Sequence, residues 1–215
     1  MVIRLAADTA PPAISYTLSP ATANGSNGWY TVNVLVDWTV IDPETTITSS
    51  TGCNDTTLST DTAGATYTCT ATSAGGTSSV TTTTIKRDAT APTLAPTAPS
   101  PLLRGQSYVA SPNAGDATSG VASSSCGPLD TSTTGSKSTT CTATDKAGNV
   151  ATATLNYTVT TTCANDGYTG TKLSWCQNVC EKGYTGSTLD TWIHRWINKY
   201  RDLPYCAVKP QPTPQ

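Results

Sequence analysis

One segment of this chain occurs twice. Residues 67–83 read Tyr-Thr-Cys-Thr-Ala-Thr-Ser-Ala-Gly-Gly-Thr-Ser-Ser-Val-Thr-Thr-Thr, and residues 139–155 read Thr-Thr-Cys-Thr-Ala-Thr-Asp-Lys-Ala-Gly-Asn-Val-Ala-Thr-Ala-Thr-Leu. Each is a strand, a glycine-containing turn and a second strand, the pattern of a β-hairpin. Upstream of each hairpin a serine-rich stretch ends in cysteine, at Ser49-Ser50-Thr51-Gly52-Cys53 and Ser123-Ser124-Ser125-Cys126. Each copy also opens alike, with Asp8-Thr9-Ala10-Pro11-Pro12 and Asp88-Ala89-Thr90-Ala91-Pro92. A period of about 80 residues is too long for a solenoid repeat and suits a compact sandwich domain.

The strand pattern agrees. Along Trp29–Val40, residues Val32, Val34, Val36, Trp38 and Val40 fall on one face, and Thr31, Asn33, Asp37 and Thr39 on the other. That period of two predicts one half-buried strand. In the second copy Ala151, Ala153, Leu155, Tyr157 and Val159 alternate with Thr152, Thr154, Asn156 and Thr158. Threonine, about a fifth of the chain, suits strands whose outer face meets water. Pro11-Pro12 and the prolines from Pro92 to Pro101 break pairing and mark the domain entries.

The eight cysteines are Cys53, Cys69, Cys126, Cys141, Cys163, Cys176, Cys180 and Cys206. An even number, clustered by region, predicts disulfides and an oxidising final environment. With one histidine and no Cys-x-x-Cys pair, the usual zinc patterns are missing. The repeat suggests the bridges Cys53–Cys69 and Cys126–Cys141, each tying a hairpin to the strand before it. Closing loops of this size is worth ~3 kcal/mol in the chain-entropy model.

The Asp-x-x-Ala-Pro opening, the Asn27-Gly28-Trp29-Tyr30 start of a valine-rich strand, and Ala143-Thr144-Asp145-Lys146-Ala147-Gly148-Asn149 resemble bacterial and phage Ig-like repeats. These include the hyalin-repeat type of module carried by secreted proteins, adhesins and virion surfaces. The resemblance covers residues 8–160. It implies a β-sandwich fold and a spacer or adhesive role. The second repeat departs from the pattern, since nothing in its shorter first half matches the Gly-Trp-Tyr strand.

After Thr162 the composition changes. Four cysteines, three of the five tryptophans and the one histidine lie beyond it. Leu189, Trp192, Ile193, Trp196, Ile197 and Tyr200 stand at helical spacing, which predicts an amphipathic helix over 188–201, capped by Ser187 or Thr188 and followed by Pro204. A shorter helix is expected over 174–180, with Cys176 and Cys180 bridging outward to Cys163 and Cys206 in a connectivity left open. Gly-Tyr-Thr-Gly, at residues 167–170 and 183–186, brackets that short helix. It reads as two matched turns, or as a way to present Tyr168 and Tyr184. Trp192 and Trp196 are assigned to the module's core. Tyr168, Trp175, Tyr184 and Tyr205 are the binding candidates, because aromatic faces stack on sugar rings or fill partner pockets.

The expected fold class is therefore mainly β: two tandem Ig-like β-sandwiches plus a small disulfide-stapled α-helical C-terminal module. The expected domains are a mounting segment (1–7), Ig-like domain 1 (8–87), Ig-like domain 2 (88–161), a Cys-rich helical module (162–207) and a Pro-rich tail (208–215). Catalysis is not expected. His194 sits inside the amphipathic helix with no acid to orient it, and the spacing of Glu181 from Asp190 or Asp202 fixes no pair for sugar hydrolysis. Asp8, Asp88 and Asp145 recur near domain ends, where oxygen ligands suit calcium. Without a dense Asp/Asn loop they are assigned to turns and caps, with no cofactor and no metal expected.

A charged fraction of 12% and a formal net charge of -2 with no basic patch argue against nucleic acid. No stretch approaches the ~18 apolar residues of a membrane helix, and Met1–Asp8 does not read as a signal peptide. The expected role is an extracellular surface protein, foremost a virion accessory (decoration, fibre or tail-associated). It would be mounted through a strand-like Met1–Leu5 or the tail, on virion or cell-surface proteins, with surface glycans as ligands of the C-terminal module. The alternative is a fragment of a secreted adhesin, or the carbohydrate-binding region of an extracellular enzyme.

Overall fold

The computed structural model describes residues 7–207. The expected mounting segment, apart from Ala7, and the Pro-rich tail lie outside the described residues. Among the described residues the protein is mainly β, with several small sheets, two helices and four disulfides. It forms two compact units, residues 7–96, 111–126 and 140–153 in one, and residues 97–110, 127–139 and 154–207 in the other.

Nine strands build the first repeat: β1 (Ala13–Ser19), β2 (Trp29–Tyr30), β3 (Val34–Ile41), β4 (Ser49–Thr51), β5 (Thr56–Leu58), β6 (Thr62–Ala65), β7 (Thr68–Ser73), β8 (Gly76–Thr81) and β9 (Ile85–Arg87). They pair as three small sheets, β1-β3-β5, β2-β9-β6 and β4-β7-β8. Val34, Val36 and Trp38 turn one face of β3 into a core completed by Tyr30, Leu58, Cys69 and Ile85. The hairpin β7–β8 shows the same alternation. Cys69, Ala71 and Ser73 point inward, while Thr68–Thr81, Thr70–Ser79 and Thr72–Thr77 join hydroxyls across the outer face at 2.8–2.9 Å. Such cross-strand pairs are the unit of sheet stabilisation.

The single strand expected over Trp29–Val40 is broken. Trp29 and Tyr30 are both buried, and β2 runs parallel to β9. The next three residues are pulled aside: Thr31 N donates to Asn24 Oδ1 at 3.0 Å, and Arg87 donates to Val32 O at 3.1 Å and to Asn33 Oδ1 at 2.9 Å. Val32, expected in the core, is consequently 43% exposed. Arg87 is itself buried and also pairs with Asp61. Asp61 further accepts from Thr90 Oγ1 at 2.5 Å and Ala89 N at 3.0 Å.

The second repeat begins with three two-residue strands, β10 (Thr93–Leu94), β11 (Leu102–Leu103) and β12 (Ala114–Gly115), followed by β13 (Val121–Cys126), β14 (Gly135–Asp145) and β15 (Val150–Thr160). Pro96, Pro99 and Pro101 have no N–H to offer a ladder, which keeps its early strands short. In the first unit β10 pairs with β12, and β13 with the end of β14, setting Cys126 opposite Cys141. β14 and β15 continue into the second unit, where β11 runs parallel to the end of β15. There Leu102, Tyr157 and Val159 form a small core with Tyr108 and Leu129. The disulfides Cys53–Cys69 and Cys126–Cys141 are those the repeat suggests.

Two helices follow, α1 (Gly170–Cys180) and α2 (Gly186–Tyr200), held by Cys163–Cys176 and Cys180–Cys206. α1 is longer than the expected 174–180. The expected caps Ser187 and Thr188 lie inside α2, where Thr185 is the N-cap in extended conformation. Thr169 stands in the same way before α1. The two Gly-Tyr-Thr-Gly copies thus flank α1, as expected, and each also leads into a helix. Within the second unit Arg104 links repeat and helices: Nη2 meets Asp166 Oδ1 at 2.6 Å, and its carbonyl accepts from Asn165 Nδ2 at 2.8 Å.

Two stability outcomes follow from this packing. Ile85→Ala, at a site 1% exposed, is expected to cost about 2–5 kcal/mol in urea unfolding of the oxidised protein. Val32→Ala should stay within about 0.5 kcal/mol; equal losses at the two positions would restore Val32 to the core. For Asp61, burial pushes the carboxyl pKa up, but the Thr90 hydroxyl, the Ala89 amide and Arg87 outweigh it and hold it below 3.8. Its contribution is thus present above pH 3.8 and lost as pH falls through the lower folded value. Melting temperature followed from pH 5 to pH 2 should drop less steeply in Asp61→Asn than in the native chain.

Candidate functional site

Two places gather functional groups. The first is the helical module. Trp196 is fully buried with Cys163 and Cys176, and Tyr168, Leu173, Trp175 and Tyr200 pack against them. Tyr168 meets Trp196 edge-on at 5.5 Å, and Trp175 lies 6.1 Å from Trp192 and 5.9 Å from Tyr200. Lys172 Nζ sits 4.9 Å from the rings of Tyr168 and Tyr200 and 5.5 Å from Trp196, a cation held over aromatic faces. Asp202 closes the cluster, accepting from Trp196 Nε1 at 2.9 Å and facing Lys172 at 3.4 Å.

Of the four binding candidates, Tyr168 and Trp175 are therefore half-buried parts of this cluster. Tyr184 and Tyr205 are exposed. The Tyr205 hydroxyl is raised above its ordinary pKa by partial burial and by the Glu181 and Asp166 carboxylates. Trp192, assigned to the core, is half-exposed with Arg195 stacked 5.0 Å from its ring, and Ile193 takes the buried position. Two of the carboxylates weighed for hydrolysis, Glu181 and Asp202, have structural partners. Glu181 Oε1 accepts from Cys163 N at 2.7 Å, and Asp202 belongs to the Lys172 cluster. His194 is exposed, its Nδ1 2.7 Å from the Asp190 carbonyl.

The second place is an acidic pole that occurs in both repeats, wholly within the first unit. In the first repeat Asp8 Oδ2 accepts from Thr45 Oγ1 and Gly75 N, both at 2.5 Å. Asp42 Oδ1 accepts from Glu44 N at 2.9 Å and Thr45 N at 3.0 Å. The Asp8 carboxylate pushes Asp42 up and burial pushes Asp8 up, yet both lie below 3.8. For Asp8 the chief cause is the Thr45 hydroxyl, and for Asp42 the Ser73 hydroxyl. Asp8 Oδ1 and Asp42 Oδ2 are buried without a hydrogen-bond partner. Gly75 is required here, because a Cβ would run into the Ala10 carbonyl and Asp8 Oδ1.

The corresponding residues of the second repeat are Asp88, Asp116 and Asp145, and one carboxylate oxygen from each lies within 4.8 Å of the other two. Asp88 is wholly buried and Asp145 is 1% exposed. Asp88 accepts from Thr90 N and Ser119 N. Asp116 Oδ1 accepts from Thr118 N, Ser119 Oγ and Gly120 N. Asp145 accepts from Gly148 N, Asn149 N and Asn149 Nδ2. The local turns expected of Asp88 and Asp145 are present, whereas Asp8 accepts from Thr45 and Gly75, far along the chain; Asp42 and Asp116 carry no such expectation from the sequence. Their signal was positional: each ends the stretch after the repeat's early strands, three residues before Thr45 or Ser119.

No protein-family model matches the sequence, and no curated protein matches it.

Trp196→Ala is expected to cost about 3–5 kcal/mol and to release Lys172, whereas Tyr184→Ala should change stability by less than about 0.5 kcal/mol. Thermal unfolding of both variants with disulfides intact checks the assignment of one aromatic to the core and the other to the surface.

Proposed function

We propose that the chain is a non-enzymatic surface structural and binding protein: two tandem Ig-like β-sandwiches followed by a helical module, serving as a virion accessory protein (decoration, fibre or tail-associated) of a phage. The observation that carries this reading is the repeated staple. Cys53–Cys69 and Cys126–Cys141 each tie a hairpin to the strand before it, and two more disulfides hold the helices. Staples in every module suit small domains that work outside a reducing compartment. The short parallel pairings β2–β9 and β11–β15, placed alike in the two repeats, support the reading of both as one kind of sandwich. No helix among the described residues is long and apolar enough to cross a membrane.

Adhesion falls to the helical module in this reading. Tyr184 and Tyr205 are its exposed phenols, and half-exposed Trp192 carries a stacked arginine. Surface glycans are the ligand class that such rings stack on.

Unreduced mass spectrometry of purified particles, compared with secreted and envelope fractions, tests the location. The intact chain should co-purify with virions at many copies. Recovery only within a longer secreted polypeptide would sink the virion reading and favour an adhesin or the carbohydrate-binding region of an enzyme. On a glycan array, Tyr184→Ala with Tyr205→Ala should abolish binding without lowering the melting temperature. Unchanged binding would remove the module's assigned face.

A further inference from the structure

The hydrogen bonds of turns and caps account for part of each acidic pole and leave a remainder. In the first repeat Asp8 and Asp42 each have one oxygen satisfied by N–H or hydroxyl donors, and one oxygen that exposes less than 1 Å² and makes no hydrogen bond, with the Ser73 hydroxyl as the nearby polar group. A buried acceptor without a donor costs free energy, and a buried carboxylate costs far more unless it is paired or bound to a metal. In the second repeat three carboxylates converge within 4.8 Å, two of them out of contact with solvent. None of the three forms a salt bridge among the described residues, where the ion pairs are Arg87–Asp61, Arg104–Asp166, Lys137–Asp130 and Lys172–Asp202. Like charges this close in a low-dielectric site repel strongly. Backbone amides and the Asn149 amide lessen that repulsion but bring no positive charge.

What both poles lack is a cation. The donors are all hard oxygens, with no imidazole or thiolate beside them, which disfavours zinc. Calcium accepts six to eight oxygens in irregular geometry, whereas magnesium demands a near-ideal octahedron and keeps its waters. We propose that each acidic pole is a calcium site, formed by Asp8 and Asp42 in the first repeat and by Asp88, Asp116 and Asp145 in the second. Solvent molecules complete the coordination. The site of the second repeat joins the segment that opens it (Asp88), the loop before β13 (Asp116) and the β14–β15 turn (Asp145). Its ion therefore fastens three stretches of chain that are distant in sequence.

Titration of chelator-treated, fully oxidised protein with calcium chloride in a calorimeter tests this, with magnesium chloride as the comparison. Binding of about two ions per chain is expected, with Kd on the order of 10⁻⁴–10⁻³ M, the range of extracellular modules. Asp42→Asn should remove one ion and Asp116→Asn the other. Asparagine keeps the oxygen that accepts the turn amides, and circular dichroism checks that each variant is folded. Melting temperatures supply a readout that a purely structural role would not move. Without calcium, Asp116→Asn should melt at or above the native chain, because a repulsion is relieved; with 10-fold excess calcium over Kd the native chain should melt higher. No calcium heat at millimolar concentration, or binding unchanged in both variants, overturns the proposal. A single ion lost only in Asp116→Asn overturns it for the first repeat and sustains it for the second.

Discussion

The sulfurs of Cys69 and Cys141 are buried inside the two repeats, on strands β7 and β14, whose other inward residues are small. Both cysteines are fully buried, and the chain has no phenylalanine to fill the space around them. The neighbouring inward residues, Ala71 and Ala143, are small. A cross-link closing about 15 residues is worth ~3 kcal/mol in the chain-entropy model, a large share of the 5–15 kcal/mol by which a whole domain is stable. The bridge also sets register. With Cys126 fixed opposite Cys141, period-two alternation sends the cysteine and the residues two and four places on to the same side. The fourth is Ser73 in one repeat and Asp145 in the other. The staple thus delivers a polar residue to the end of the hairpin, inside, where the aspartate that opens each repeat also arrives.

Much of this was legible in the sequence because it is local and periodic. The two hairpins, their cysteine partners and the α2 helix are each encoded within a few tens of residues by alternation, by spacing and by repetition. What was not legible depends on partners far along the chain. Val32 fits a strand pattern until Arg87, 55 residues on, takes its carbonyl and the Asn33 side chain. The acidic poles were half visible: Asp8, Asp88 and Asp145 recur in recognisable motifs, but Asp42 and Asp116 follow segments of unlike length and composition in the two repeats. Only folding brings them to the other acids.

The aromatic residues of the helical module show a different limit. Helical spacing separates a buried face from a wet one, but in a module held by two disulfides the face of α2 is shared among α1, the loops and the cross-links. Trp196 stacks under Lys172 and between Tyr168 and Tyr200, while Trp192, one turn earlier, meets Trp175 edge-on and keeps Arg195 over its ring. Small modules bury a low fraction of their surface. Several of their large rings are therefore left half-covered, and a half-covered ring serves as core and as contact surface at once.

The two acidic poles differ by one residue in a way that matters physically. Where the second repeat has Asp145, the first has Ser73, so one pole holds three carboxylates and the other two. Glu44, also close to the first pole, does not make up the difference: its carboxylate is engaged by the Thr9 and Ala10 amides at 2.7 and 3.2 Å. More negative ligands bind calcium more tightly, and they also repel one another more when the ion is gone. Both effects act in the same direction at the second pole, whose three acids come from the start, the middle and the final hairpin of that repeat. Loss of the ion there would loosen contacts between chain segments. At the first pole, where Ser73 brings no charge, emptying the site would leave two carboxylates still held by the Thr45 hydroxyl and the Gly75, Glu44 and Thr45 amides.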